Sequence, residues 1–226
     1  MINPTDLEAN YFSGVLYSLP DQKDTSRNSG FSMRKDIVDE LGITVPEVGT
    51  WDDMHDILVQ VHEAYPDMYP VVSTWAGGGY QETLPIDPLD DSLGVLENII
   101  ESDSTEVVSL HATDSYREYC ERMYQWNKEG LIMPDITTST ENNLLAGNGF
   151  AMIENWKPGK EYENYKSTGK EVVFMKLHED NIKYTGCANG NSFIIPWSSE
   201  NPEKAMMLWD LMYLSLIHIS EPTRPL

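Results

Sequence analysis

The stretch from Thr50 to Thr74 most constrains the fold, because it sets a capped amphipathic helix directly before a β-branched strand. Thr50 is the expected N-cap, Asp52 and Asp53 occupy the first turn where the helix dipole favours negative charge, and Met54, Ile57, Leu58 and Val61 recur at helical spacing. The Tyr65-Pro66 step stops that helix, and Tyr69 to Thr74 (YPVVST) then reads as a buried strand leading into the loop TWAGGGY. Helix into strand is the unit of an α/β layer.

The pattern recurs along the chain. A short helix is expected over Met33 to Leu41, with Ser32 as its N-cap and Gly42 as its stop. From Asp114 through Lys128, Tyr116, Tyr119, Cys120, Met123 and Trp126 form one helical face, which assigns Met123 and Trp126 to the core and makes Cys120 a small buried thiol. Strands are expected at Gly94 to Ile100, Glu106 to Leu110, in GFAMIE, at Glu171 to Leu177 and at Ser192 to Ile195. A final amphipathic helix opens at Asn201-Pro202 and carries Met206, Leu208, Trp209 and Met212; Trp209 is assigned to the core and Trp197 to an exposed turn.

Charge narrows the partners. The 226 residues include 37 acidic against 15 basic side chains, a formal net charge of -22, which works against nucleic acid or anionic lipid as a partner. With 40% hydrophobic residues the chain has enough apolar material for one large domain or two small lobes. No apolar run reaches the length of roughly 18 residues needed to span a bilayer, and MINPTDLEANYF has neither the basic start nor the apolar stretch of an export signal. Cys120 and Cys187 match no metal or redox spacing, and a bridge between them stays open.

Motifs for catalysis are missing. His62-Glu63 begins an HExxH pattern, but Pro66 stands in place of the second histidine. Asp87, Asp90 and Asp91 lack EF-hand spacing and read as a hydrated turn, Gly77 to Gly79 lack the lysine of a phosphate loop, and Gly147-Asn148-Gly149 leads into a strand instead of a helix. No catalytic residue, metal ligand or cofactor site is assigned.

Four ordered blocks carry a resemblance: MRKDIVDELGI with TWDDMHDIL (Met33 to Leu58), YREYCERMYQWNKEGLI (Tyr116 to Ile132), LLAGNGFAMIENWKPGKE (Leu144 to Glu161) and SFIIPWSSENPEKAMMLWDLMY (Ser192 to Tyr213). In this order the chain resembles the extracellular solute-binding proteins of ABC importers, the family that includes maltose-type binding proteins, with greatest similarity to a lipoprotein branch from Gram-positive gut bacteria. The resemblance implies an α/β, periplasmic-binding-protein-like (type II) two-lobe fold with mostly lobe two present. Residues 1–20 would end lobe one, 21–186 form lobe two, and 187–213 return to lobe one. Because SGVLYSLP (Ser13 to Pro20) resembles a strand lying well inside family members, Met1 is expected to be internal and the export signal, lipid anchor, much of lobe one and a further C-terminal region to lie outside this sequence. Leu214 to Leu226, LSLIHISEPTRPL, matches no part of the family and reads as a translated sequencing adapter, against the alternative of an ordinary tail.

The implied function is binding without catalysis: capture of a solute, expected to be an oligosaccharide, by a monomeric, lipid-anchored extracellular protein that delivers it to ABC permease subunits. A secreted carbohydrate-active enzyme with an α/β core is the alternative. A sugar needs flat aromatic faces and a few polar groups at strand ends. Trp75 follows the YPVVST strand, Tyr80 lies beyond the glycines, and Trp156 follows GFAMIEN; maltose-type proteins place a stacking tryptophan slightly later on the aligned strand. These three, with Glu154, Asn155 and Asn189 as polar candidates, are the expected ligand-binding residues, and an aromatic packed within its own lobe is the competing reading for each.

Overall fold

A nine-residue strand that hydropathy does not announce, Ser26–Arg34, runs through the centre of the larger of two compact units. The computed structural model describes residues 4–20, 26–72, 83–89, 93–100, 103–138, 147–179, 182–183 and 192–212. By internal contacts, Asp24–Gly186 forms one unit, and Met1–Lys23 with Cys187–Leu226 forms the other.

In the larger unit the elements that matter are β4 (Ser26–Arg34), α2 (Lys35–Leu41), α3 (Trp51–Ala64), β5 (Tyr69–Val72), α4 (Asp114–Lys128), β9 (Gly149–Trp156), α5 (Lys160–Thr168), β10 (Val172–Lys176) and β11 (Ile182–Lys183). The sheet runs β10-β4-β9-β5 with β11 also on β4. It is mixed: β4 is antiparallel to β9, β10 and β11, whereas β5 is parallel to β9. A smaller sheet joins β6 (Ile86–Asp87), β7 (Gly94–Glu97) and β8 (Val108–Ser109).

Strand parity explains the core. Met33, Ala151 and Val71 lie in register across β4, β9 and β5, and with Phe31 and Met175 they pack on Met54, Ile57, Leu58 and Val61 of α3 and Trp126 of α4. Trp126 meets Phe31 and Trp51 at ring-centroid distances of 6.3 and 5.7 Å, so one aromatic cluster joins sheet and helices. The α3 N-terminus carries a capping box, in which Thr50 Oγ1 accepts from the Asp53 amide at 3.1 Å and the Asp53 carboxylate accepts from the Thr50 amide at 2.8 Å. These bonds hold the Asp53 carboxyl below its ordinary value.

Several expectations need correction. Ser32 does not cap a helix: it lies inside β4, and α2 begins only at Lys35, with Arg34 at the N-cap position and no side-chain cap. The reason lies on the other face of β4, where Asn28, Ser32 and Arg34 are buried polar groups and make the strand look like a loop to any hydropathy reading. Cys120 is exposed, because the inward stripe of α4 runs through Tyr116, Tyr119, Met123 and Trp126 and leaves the thiol just outside it. The expected strand over Glu106 to Leu110 shortens to Val108–Ser109, with a 3-10 turn from Leu110 to Ala112.

The smaller unit holds α1 (Pro4–Glu8), a hairpin of β1 (Tyr11–Phe12) and β2 (Val15–Leu16), β3 (Leu19–Pro20) paired with β12 (Ser192–Phe193), and α6 (Pro202–Leu211). Helix α6 buries none of its residues; Met207 and Leu208 are exposed, and Trp209 is half-buried near Phe193 instead of belonging to a core. Trp197 is 98% exposed. The tail after Met212 and Cys187 lie outside the described residues.

Trp126→Ala should therefore destabilise the chain by about 3–5 kcal/mol in urea unfolding, since it empties an aromatic cluster that holds α3 and α4 on the sheet. Cys120→Ser, on the exposed side of the same helix, should stay within about 0.5 kcal/mol of the parent.

Candidate functional site

β9 carries two kinds of side chain to one end of the main sheet. Phe150, Ala151 and Met152 are buried and anchor the strand, while its last residues, Glu154, Asn155 and Trp156, change from buried to exposed to half-buried. Pairing of β11 with the first residues of β4 puts the entry and exit of this unit at that same sheet end, beside the Asn28–Trp156 pair.

Trp156 is fixed on several sides. Its indole N–H donates to Glu161 Oε1 at 3.3 Å, its ring lies 6.1 Å from that of Phe174 at an interplanar angle of 34°, and the Lys176 ammonium sits 5.2 Å from its centroid. Phe174 and Lys176 are on β10, with β4 between them and β9. The intervening position is Gly30, paired with Glu154 on one side and Lys176 on the other. A Cβ at Gly30 would overlap the Met175 carbonyl, so only glycine lets β10 close up here, and its missing side chain leaves room on the indole side of the sheet.

Glu154 lies on the same face as Trp156 but is 7% exposed and fully engaged. One oxygen accepts from the Ser32 hydroxyl and from Asn164 Nδ2 at 2.5 Å; the other pairs with Lys160 at 3.0 Å. Asn164 and Lys160 both belong to α5, a helix the sequence reading missed because its buried residues are Asn164 and Thr168 and it has no apolar stripe. Asn155 points to the opposite face, where its side-chain oxygen accepts from Ser29 Oγ at 3.0 Å. The structure thus brings Glu154 and Trp156 onto one face with Asn155 on the other; Trp75, Tyr80 and Asn189 lie outside the described residues.

Phe174, Lys176 and Glu161 were absent from the sequence candidates. Their signal is parity, since Phe174 and Lys176 share a face in VVFMK, but using it requires the register of β10 on β4. Among the described residues, no group of three or more His, Cys, Asp or Glu could hold a metal ion, and no helix is long and apolar enough to cross a membrane.

No family model matches the chain. A carbohydrate ABC transporter substrate-binding protein of Streptococcus pneumoniae serotype 4 (strain ATCC BAA-334 / TIGR4) is 23% identical over 218 residues, which cover 93% of this chain and 43% of the relative. The crystal structure of NgtS, the N-glycan transport solute binding protein of Streptococcus pneumoniae, matches with a TM-score of 0.76 at 19% identity, over 96% of this chain and 48% of that one. NgtS in complex with Man5GlcNAc matches with a TM-score of 0.69 at 21% identity and the same coverage. The alginate-binding protein AlgQ2 matches with a TM-score of 0.55 at 16% identity, over 92% of this chain and 45% of that one. The chain spans about half the length of these proteins. Its fold is that of the type II, periplasmic-binding-protein-like solute-binding proteins.

Glu154→Ala would leave a lysine, a hydroxyl and an amide without their common acceptor and should cost about 3 kcal/mol in denaturant unfolding. Glu154→Gln keeps an acceptor and should lose less than half as much. Equal losses from the two would show that the charge, and not the hydrogen-bonded network, holds α5.

Proposed function

We propose that the chain is the ligand-binding part of an extracellular solute-binding protein that captures a carbohydrate, most simply an oligosaccharide, for uptake by ABC permease subunits. The observation that carries this reading is the match over 93% of the chain to a protein named as a carbohydrate ABC transporter substrate-binding protein. The glycan complex of NgtS supports it. In this reading residues 21–186 are lobe two, with 1–20 and 187–213 belonging to lobe one, and the protein acts outside the cell on a lipid anchor. It binds and releases its ligand unchanged, in contrast to a carbohydrate-active enzyme.

Trp156 supplies the chemistry such a ligand needs. A pyranose has an apolar face of C–H groups, which stacks on an indole, and a rim of hydroxyls, which needs donors and acceptors around that indole. The half-buried Trp156 ring, with Lys176 and Glu161 at its borders, has this composition. Trp75, Tyr80 and Asn189 are the further ligand residues of this reading, while Glu154 supports the strand end from beneath and Asn155, on the opposite face, bonds to Ser29. Stacking of a neutral sugar on an indole does not depend on net charge, so it is compatible with a chain carrying -22.

In the product of the complete reading frame, Trp156→Ala should weaken binding of the best glycan from a screen by roughly 30-fold, about 2 kcal/mol, with little change in Tm. Calorimetric titration and thermal melts measure both. Unchanged affinity with a large loss of Tm would make Trp156 a packing residue, and turnover of the glycan would replace the binding reading with the enzyme one.

A further inference from the structure

The charges around Trp156 bear on which sugars this surface accepts, an inference that rests on the carbohydrate reading above. Lysines cluster here in a chain that has few. Lys157 pairs with Glu163 at 2.7 Å, Lys160 with Glu154 at 3.0 Å, and Lys176 with Glu47 at 2.9 Å. These three ammonium groups therefore each already have a carboxylate. Among the described residues, the charged groups in contact with the indole or with its cation are the Lys176 ammonium, Glu47 and Glu161 on the indole N–H, one positive charge against two negative.

The Glu47–Lys176 pair is set by more than its own attraction. Lys176 donates its backbone N–H to the Glu47 carbonyl at 2.9 Å, and the Gly49 amide donates to the Lys176 carbonyl at 2.9 Å, so the loop between α2 and α3 is hydrogen-bonded to β10 at this residue. Backbone pairing thus holds the carboxylate within reach of the ammonium, whatever the side chain at position 47 adds. The hydrogen bond from Lys176 and its positive charge hold the Glu47 carboxyl below its ordinary value, so it is ionised throughout the neutral range.

We propose that the Trp156 surface selects uncharged sugars, and that Glu47 is the specificity-determining residue that neutralises Lys176 and so denies a sugar carboxylate its counter-ion. An ammonium has three donors; Glu47 takes one, and the others serve neutral hydroxyl oxygens without regard to charge. A uronate stacked on the indole would gain Lys176 but would face Glu47 and Glu161 together. With Glu47 uncharged, Lys176 and Glu161 balance, and the disadvantage of the uronate shrinks without reversing.

The test uses the product of the complete reading frame and matched glycan pairs, Man5GlcNAc and other neutral oligosaccharides, each beside the same glycan oxidised at a terminal C6 to a uronate. Titrations at low ionic strength should give the neutral member of a pair an affinity about ten-fold higher, and Glu47→Gln should reduce that ratio roughly five-fold with no change in Tm. High salt should shrink the effect of the substitution. Equal or tighter uronate binding by the parent, or an unchanged ratio in Glu47→Gln, would overturn the inference. Trp156→Ala separates it from its premise: if that variant weakens both members alike while Glu47→Gln leaves the ratio untouched, only charge selection falls. If Trp156→Ala changes nothing, the stacking site falls and charge selection at the indole falls with it; binding of neither member of any pair overturns the carbohydrate reading as well.

Discussion

Burial of a carboxylate in the middle of a sheet face is the constraint around which the larger unit is arranged. Glu154 is removed from water on β9, and its two oxygens are satisfied by Ser32 of β4 and by Asn164 and Lys160 of α5. Isolated, such a group would be costly enough to expel the strand end; partnered, it ties three elements together. The helix bound in this way then provides Glu161, whose carboxylate receives the Trp156 indole N–H. One polar network thus holds α5 against the sheet and orients the aromatic ring at its edge.

The opposite face is governed by different physics. There Phe31, Met33, Ala151 and Met175 pack on α3 and α4 through an aromatic cluster around Trp126, and the ion pair of Arg122 with Asp52 and the His55–Glu129 contact at 2.7 Å lie at its exposed rim. A dry face fixes the helices, and a polar face fixes the strand end that the proposed ligand would meet. Their difference explains why Trp126 and Trp156, thirty positions apart and both aromatic, are expected to respond oppositely to truncation.

What was legible in the sequence follows this division. The α3 capping box, the buried stripe of α3, the position of Trp126, the strand at β5 and the α/β character all rest on hydrophobic periodicity and cap chemistry, which are local signals. β4 and α5 were not legible, because they bury Asn28, Ser32, Arg34, Asn164 and Thr168, and polar residues earn their interior places only through partners far along the chain. Ser32 and Glu154 are 122 positions apart. The candidate site shared that fate in part: Trp156 could be named from the end of a strand, but Lys176, Phe174 and Glu47 required the strand register, which no local pattern contains.

The backbone bonds between Lys176 and the loop residues Glu47 and Gly49 hold the loop on β10 without help from the side chain at position 47, which forms the ion pair with Lys176. That side chain is 82% exposed, so it can be exchanged without disturbing the backbone ladder that carries it. Such a position behaves as an adjustable setting on a fixed instrument. A shift in ligand preference is therefore more readily made at position 47 than at Gly30, where an added Cβ would overlap the Met175 carbonyl.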